Sequence, residues 1–348
     1  MNGASNTKYH NVQERLTIAM SSAIEQYELL IGHSFEHDLT FEVTRDDGFW
    51  ALAQPLDEGI QIRVSTGAVH AIDALWQDAW GASILRASKG QRTQNFKGFE
   101  HTPERLADVS LMWLLLHELM HIVMGHVDLL EGAALVETAS ARPFTDTKKP
   151  DGMISALRQV PDADKPFLSR CMEMQADSEA TDILLEAYSD EQWGELRARA
   201  AAIFVVMALI ERENDKSDRE GITHPKAATR FFTLLAHLFQ MWLYPNAELE
   251  QEDGELMVST PDAPDPEKFE KYASDVLIPA VNDALIISKA AGAKSFLDGI
   301  GDHVAILHDI STVQYAEGLS ADNLKTDGAR EWLELMGANQ RIMAALNS

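Results

Sequence analysis

Apolar and polar positions change their period several times along this chain. Thr17–Leu30 has the spacing of a helix, whereas LTFEV (39–43) and FWALA (49–53) are short, β-rich runs. QIRVS (61–65) alternates apolar and polar residues as a half-exposed strand does. Gly67 breaks that pattern, and Ala68–Trp80 reads as a helix. Residues 83–102 turn polar and basic and predict a loop outside the core. From Pro103 onward the period is helical. Pro103–Leu130 contains LMWLLL (111–116), which is apolar all round and so predicts a buried helix. A loop over 141–165 precedes helices at about 167–188, 191–213 and 224–244. Residues 246–266 are acidic and proline-containing, as linkers and surface loops are. Glu267–Ala291 and Ser320–Leu346 then read as amphipathic helices.

The pattern predicts an α+β protein, mostly helical, with a small N-terminal sheet and a helical C-terminal extension. The expected organisation is a main domain over 1–245, a linker over 246–266 and the extension over 267–348. Composition narrows the function. With 55 acidic and 29 basic residues the formal net charge is −26, which repels nucleic acid phosphates and anionic lipid headgroups. No nucleic acid partner is expected. The longest uninterrupted apolar run, Ala200–Ile210, is well short of the roughly 20 residues a spanning helix needs, so no membrane insertion is expected either. Cys171 is the one cysteine, which favours a reducing compartment. The first residues lack the apolar core of a signal peptide, and the expected location is the cytoplasm.

The decisive text is His117-Glu118-Leu119-Met120-His121, an H-E-x-x-H. On a helix, residues four apart share a face, so two imidazoles can bind one metal ion without moving the backbone. Glu118 lies beside them and can take a proton from a metal-activated water. The same five residues also fit an amphipathic helix with two ordinary histidines. Against that, the six residues before His117 are all apolar, and buried His and Glu need partners that a metal supplies. A catalytic zinc site has three protein ligands and an open position. Glu173-Met-Gln-Ala-Asp177 offers the third ligand in Glu173, with Asp177 placed to accept the remaining ring N–H of a ligating histidine.

H-E-x-x-H followed by E-x-x-A-D resembles the gluzincin peptidases, particularly the HtpX and CAAX-processing type. Thr223-His224-Pro225 with Arg230 is similar to that family's H-P-x-x-x-x-R, and Ile60–Gly67 resembles its cleft strand. His121-Ile-Val-Met-Gly-His126 also resembles the H-x-x-x-G-H stretch of soluble phage-exclusion peptidases of the Lit type. HtpX-type enzymes are membrane-embedded, which this chain's apolar runs do not match. The resemblance implies a zincin-like domain, a Zn2+ ion on His117, His121 and Glu173, and Glu118 as general base. It implies further that His224 or Arg230 serves the oxyanion or a substrate carboxylate, and that a protein or peptide substrate lies along 60–66 as an added edge strand. His126, nine positions from His117, falls on the opposite face of a straight helix, so a supporting or packing role suits it better than ligation. Two other classes remain. One is a non-catalytic zinc-stabilised interaction module, closed by a fourth ligand such as His126. The other is a helical interaction protein without metal.

Overall fold

The computed structural model describes residues 2–56, 58–88, 96, 99–129, 160–185, 192–216, 224–243, 249–252, 255–258, 266–300, 302–315 and 319–346. Helix α1 (Asn2–Ile31) leads into strands β1 (Leu39–Thr44), β2 (Ala51–Pro55) and β3 (Ile60–Ser65), then α2 (Thr66–Ser88). Next come α3 (Pro103–Val123), the single turn α4 (His126–Leu129), α5 (Leu168–Leu185), α6 (Trp193–Lys216) and α7 (Ala227–Leu243). A hairpin of β4 (Leu249–Glu252) and β5 (Glu255–Val258) falls where the sequence predicts a linker. Helix α8 (Pro266–Tyr272) passes through a π turn (Ala273–Leu277) into α9 (Ile278–Ala291), followed by α10 (Lys294–Gly299), α11 (His303–Tyr315) and α12 (Asp327–Leu346). This is the mostly helical α+β architecture, with its small N-terminal sheet and C-terminal helices, that the pattern predicts. The loop expected at 141–165 lies largely outside the described residues, as does the rest of 246–266.

Helix α3 is the centre of the packing. Thr102 caps its N-terminus by accepting from the Arg105 N–H, and Pro103 occupies the first turn, where its missing N–H costs nothing. Leu111, Trp113, Leu114, Leu115 and Leu116 are fully buried, because α1, α2, α5 and α6 surround the helix. By length and apolarity α3 is the one helix among the described residues that suits a membrane span; protein buries 78% of its most apolar window. Two indoles tie it laterally. Trp76 Nε1 donates to Ser110 Oγ at 3.0 Å, and Trp113 Nε1 donates to Thr181 Oγ1 at 3.3 Å. At the other end Gly125 adopts φ +71°, a left-handed conformation that suits glycine and ends the helix.

The sheet corrects one expectation. Its order is β1-β3-β2, with β3 parallel to β1 and antiparallel to β2. The 60–66 strand is therefore central and has no free edge for a substrate to join. Alternation reported which face of the strand is covered, with Ile62 and Val64 inward, but edge status depends on neighbours that the strand's own residues do not encode. Gly67 does not break the structure but sits in the first turn of α2. A Cβ there would lie 2.2 Å from the Gly48 carbonyl oxygen, so the close approach of the 46–48 turn requires glycine.

A second expectation, a loop outside the core over 83–102, fails where the chain is described: α2 runs on to Ser88, while 89–95 and 97–98 lie outside the described residues. Phe96 and Phe99 are buried in the core, and Phe96 stacks on Trp80 at 5.9 Å and meets Trp76 edge-on at 5.7 Å. The basic residues around these rings masked two apolar anchors. The helices beyond 266 also enter the same core. Tyr272, Leu277, Ile287 and Phe296 belong to one apolar cluster with Trp113 and Phe204. Helix α12 packs on α5 and α7, and a smaller cluster joins Cys171, Met172 and Met174 to Leu335, Ala338 and Ile342. Burial pushes the Cys171 thiol up to about 12, and its Sγ lies 3.5 Å from the Leu335 carbonyl, as befits a small packed hydrophobe.

Candidate metal centre

Helix α3 presents His117 and His121 one turn apart, and α5 crosses it with Glu173 and Asp177 one turn apart. The helices are held in this alignment by their packing and by the Trp113–Thr181 bond near the site. His117 Nε2 and His121 Nε2 are 3.2 Å apart. Glu173 Oε2 lies 3.3 Å from His117 Nε2, and Glu173 Oε1 lies 3.5 Å from His121 Nε2. Donors arranged tetrahedrally at zinc bond lengths of about 2.0–2.2 Å are separated by about 3.3–3.6 Å. The three side chains thus fit a metal ion, and they form a group whose donor atoms converge. Glu173 Oε2 is buried without a hydrogen bond, which a cation would satisfy.

Behind each ligand stands a second partner. Asp177 Oδ1 lies 3.0 Å from His117 Nδ1, so the carboxylate orients the ring with Nε2 toward Glu173. Arg230, from α7, grips Asp177 with Nε and Nη2, both at 2.5 Å. Its guanidinium also lies 5.8 Å from the centre of the Trp113 ring. The resemblance implies that His224 or Arg230 serves the oxyanion or a substrate carboxylate; in the structure Arg230 bonds Asp177. On the far side of His121, Nδ1 is 2.9 Å from His126 Nδ1. Gly125 turns the chain back and brings His126 to this position, away from the Nε2 side where ligands meet.

His224 stands just before α7, with Nε2 3.4 Å from Glu173 Oε2. The start of α7 is pinned by two carboxylates that its sequence neighbours do not announce. Glu211 accepts from the Ala227 N–H at 3.0 Å, and Glu331 accepts from the Lys226 N–H at 3.2 Å and from the Thr229 hydroxyl. Anionic groups at a helix N-terminus satisfy its open N–H groups and complement its dipole. Glu118 is buried on α3 at 2% exposure, one residue on from His117.

All of these groups are buried, which sets their charges. Burial opposes charge on His117, but its ion pairs with the Asp177 and Glu173 carboxylates outweigh it and raise its pKa to about 10. Burial pushes His121 well below its ordinary value, and lowers His126 and His224 as well. Burial works to raise Glu173 and Asp177, yet the histidines around the first and Arg230 beside the second hold both below the usual carboxylate range. The arrangement thus pairs the Glu173 carboxylate with His117 and the Asp177 carboxylate with Arg230.

A neighbouring line of side chains has the spacing of a nucleophile triad. Ser178 Oγ is 3.1 Å from His237 Nε2, and His237 Nδ1 is 2.7 Å from Asp182 Oδ1. Asp182 is 56% exposed, and Ser178 lies inside α5, where backbone N–H groups are spent on the helix and cannot hold an oxyanion. It reads as a helix–helix hydrogen bond.

Fold and site together define a mostly helical α+β protein with a buried His–His–Glu group able to hold a metal ion. Residues 154–241 match the family model described as Peptidase U49, and the match supports a peptidase acting on protein or peptide substrates. The matched stretch includes Glu173, Asp177, His224 and Arg230, whereas His117, Glu118 and His121 lie before it. No curated protein and no solved structure matches the chain. Sequence reasoning missed Gln175, Glu211 and Glu331 among the supporting groups. Gln175 sat in view inside E-x-x-A-D, but nothing local marks which way its amide faces.

Proposed function

We propose that this protein is a zinc-dependent endopeptidase using Glu118 as its proton carrier. One observation carries the reading: His117 Nε2 and His121 Nε2 are 3.2 Å apart, and the buried Glu173 carboxylate brings an oxygen within 3.3–3.5 Å of each. Two imidazoles and a carboxylate suit zinc among the common divalent ions. When bound, zinc supplies Lewis acidity that makes a water acidic near neutral pH and polarises the scissile carbonyl. Glu118 takes the proton of the attacking water and delivers it to the leaving amine. Asp177 and Arg230 hold His117 in orientation, and His224 donates to the substrate oxygen as negative charge builds on it. Resemblance to phage-exclusion peptidases favours an enzyme restricted to one protein target.

The test is zinc content per chain in wild type and in Glu173→Ala purified in parallel. Near-stoichiometric zinc in wild type and a large loss in the variant are expected. No zinc in reconstituted wild type would remove the metallopeptidase reading.

A second reading has an observation of its own. Every group here is buried, and His224 Nε2 approaches Glu173 Oε2 at 3.4 Å, a ligand-like separation. His224 would then close the site as a fourth ligand and make the metal structural. His224→Ala separates the two. The catalytic assignment expects zinc retained within a few-fold and cleavage lost; a closed structural site expects zinc affinity itself to collapse.

A further inference from the structure

We infer that the C-terminal helix α12 completes the metal site through a directional hydrogen-bond relay, Asn339–Gln175–His126, which dictates the nitrogen that His121 leaves free for the metal. The inference rests on the reading of His121 as a ligand and names two positioning residues, Gln175 and Asn339, whose identity the sequence motifs do not specify.

The relay is continuous from α12 to the site. Gln175 Nε2 donates to Asn339 Oδ1 at 2.7 Å. Gln175 Oε1 lies 2.8 Å from His126 Nε2, and His126 Nδ1 lies 2.9 Å from His121 Nδ1. Direction follows from the chemistry of each group. An amide has a donor end and an acceptor end, and a neutral imidazole has one N–H and one lone pair. With its NH₂ spent on Asn339, Gln175 offers His126 an oxygen, so His126 carries its hydrogen on Nε2. His126 Nδ1 is then a lone pair and accepts from His121 Nδ1–H. His121 Nε2 is left bare, facing His117 Nε2 and Glu173. Turning the Gln175 amide over reverses every step and puts the hydrogen of His121 on Nε2, where it blocks a metal.

The far end of the relay is anchored by packing. Leu335, Ala338 and Ile342 share a face of α12 with Asn339 and are buried against Cys171, Met172 and Met174 of α5. Arg170 and Glu331 add an ion pair between the same helices at 2.9 Å. Cavities of about 220 and 270 Å³, both lined by Met124, Gln175 and Asn339, flank the relay. They leave room for a leucine at either position, so apolar variants test polarity rather than fit.

The experiment uses the full chain. Zinc affinity is measured by chelator competition, and the His121 tautomer by ¹⁵N imidazole NMR of the metal-free protein. Gln175→Leu should weaken zinc by about 10-fold or more and move His121 away from a pure Nδ1–H form. Asn339→Leu should act in the same direction more weakly. Gln175→Glu keeps an acceptor toward His126 and should retain both the Nδ1–H form and zinc affinity within about 3-fold, a rescue that packing loss would not show. Unchanged affinity and tautomer in both leucine variants would overturn the relay. If wild type binds no zinc, the ligand reading fails, and the tautomer in Gln175→Leu still decides the relay.

Discussion

Glu118→Gln is expected to leave zinc bound and to lower cleavage by about 10²–10⁴-fold, the usual contribution of a positioned general acid–base. The reason lies in what the substitution preserves. Gln matches Glu in shape and keeps a hydrogen-bonding oxygen, and it contributes none of the three donor atoms that converge on the metal position. Glu118 is buried at 2% exposure, so its amide replaces a charge that burial penalises, and the fold should not suffer. An amide cannot carry the proton from water to the leaving amine. The measurement pairs zinc content with the rate of cleavage of a peptide library read by mass spectrometry. Normal cleavage would take Glu118 out of the mechanism. Loss of zinc with loss of cleavage would show that Glu118 acts on the metal site itself.

Arg230→Met is expected to cost about 3–5 kcal/mol of stability, because it strands a buried carboxylate. Asp177 is 2% exposed, and Arg230 meets it with two parallel donors at 2.5 Å. Methionine fills much of the volume but leaves the carboxylate, among the described residues, with His117 as its one ion-pair partner. Adding Asp177→Asn should restore more than half of the loss, since the stranded charge is gone. Lys165→Met is the control: its partner Asp162 is almost fully exposed and solvent-screened, so no measurable loss is expected. Urea unfolding followed by circular dichroism reads all four proteins. An Arg230→Met variant as stable as wild type would mean that Asp177 does not depend on Arg230.

How far the site was legible varied with the range over which each feature is encoded. The metal helix was plain, because Pro103 and the apolar run 111–116 mark its start and its burial within a few turns. His117 and His121 share a face by helical geometry alone. Glu173 and Asp177 were readable as a spaced pair, but only the crossing of α5 on α3 brings them to the histidines. His126 shows the reverse limit. Counting residues put it on the wrong face, and the left-handed Gly125 delivered it to His121 Nδ1.

The misses share one cause. Strand 60–65 was recognised as a strand, yet its central place comes from β1 and β2 pairing on both sides. Phe96 and Phe99 were hidden among lysines, arginines and glutamines, and their burial is decided by Trp76 and Trp80 in another element. Arg230 looked free for a substrate because nothing near it in sequence is acidic; Asp177 is 53 positions away.

By itself the sequence determined what depends on local period and spacing: a mostly helical α+β chain, the two-histidine helix face, and a carboxylate pair one turn apart. Those follow from backbone geometry, which repeats every few residues whatever surrounds it. The tertiary structure alone decided which donors converge to within 3.5 Å, which carboxylates gain partners, and that the C-terminal helices share the core and touch the site. Such contacts join residues as far apart as Gln175 and Asn339, 164 positions. They arise from burial and hydrogen-bond satisfaction over the whole chain, so no stretch of it carries them alone.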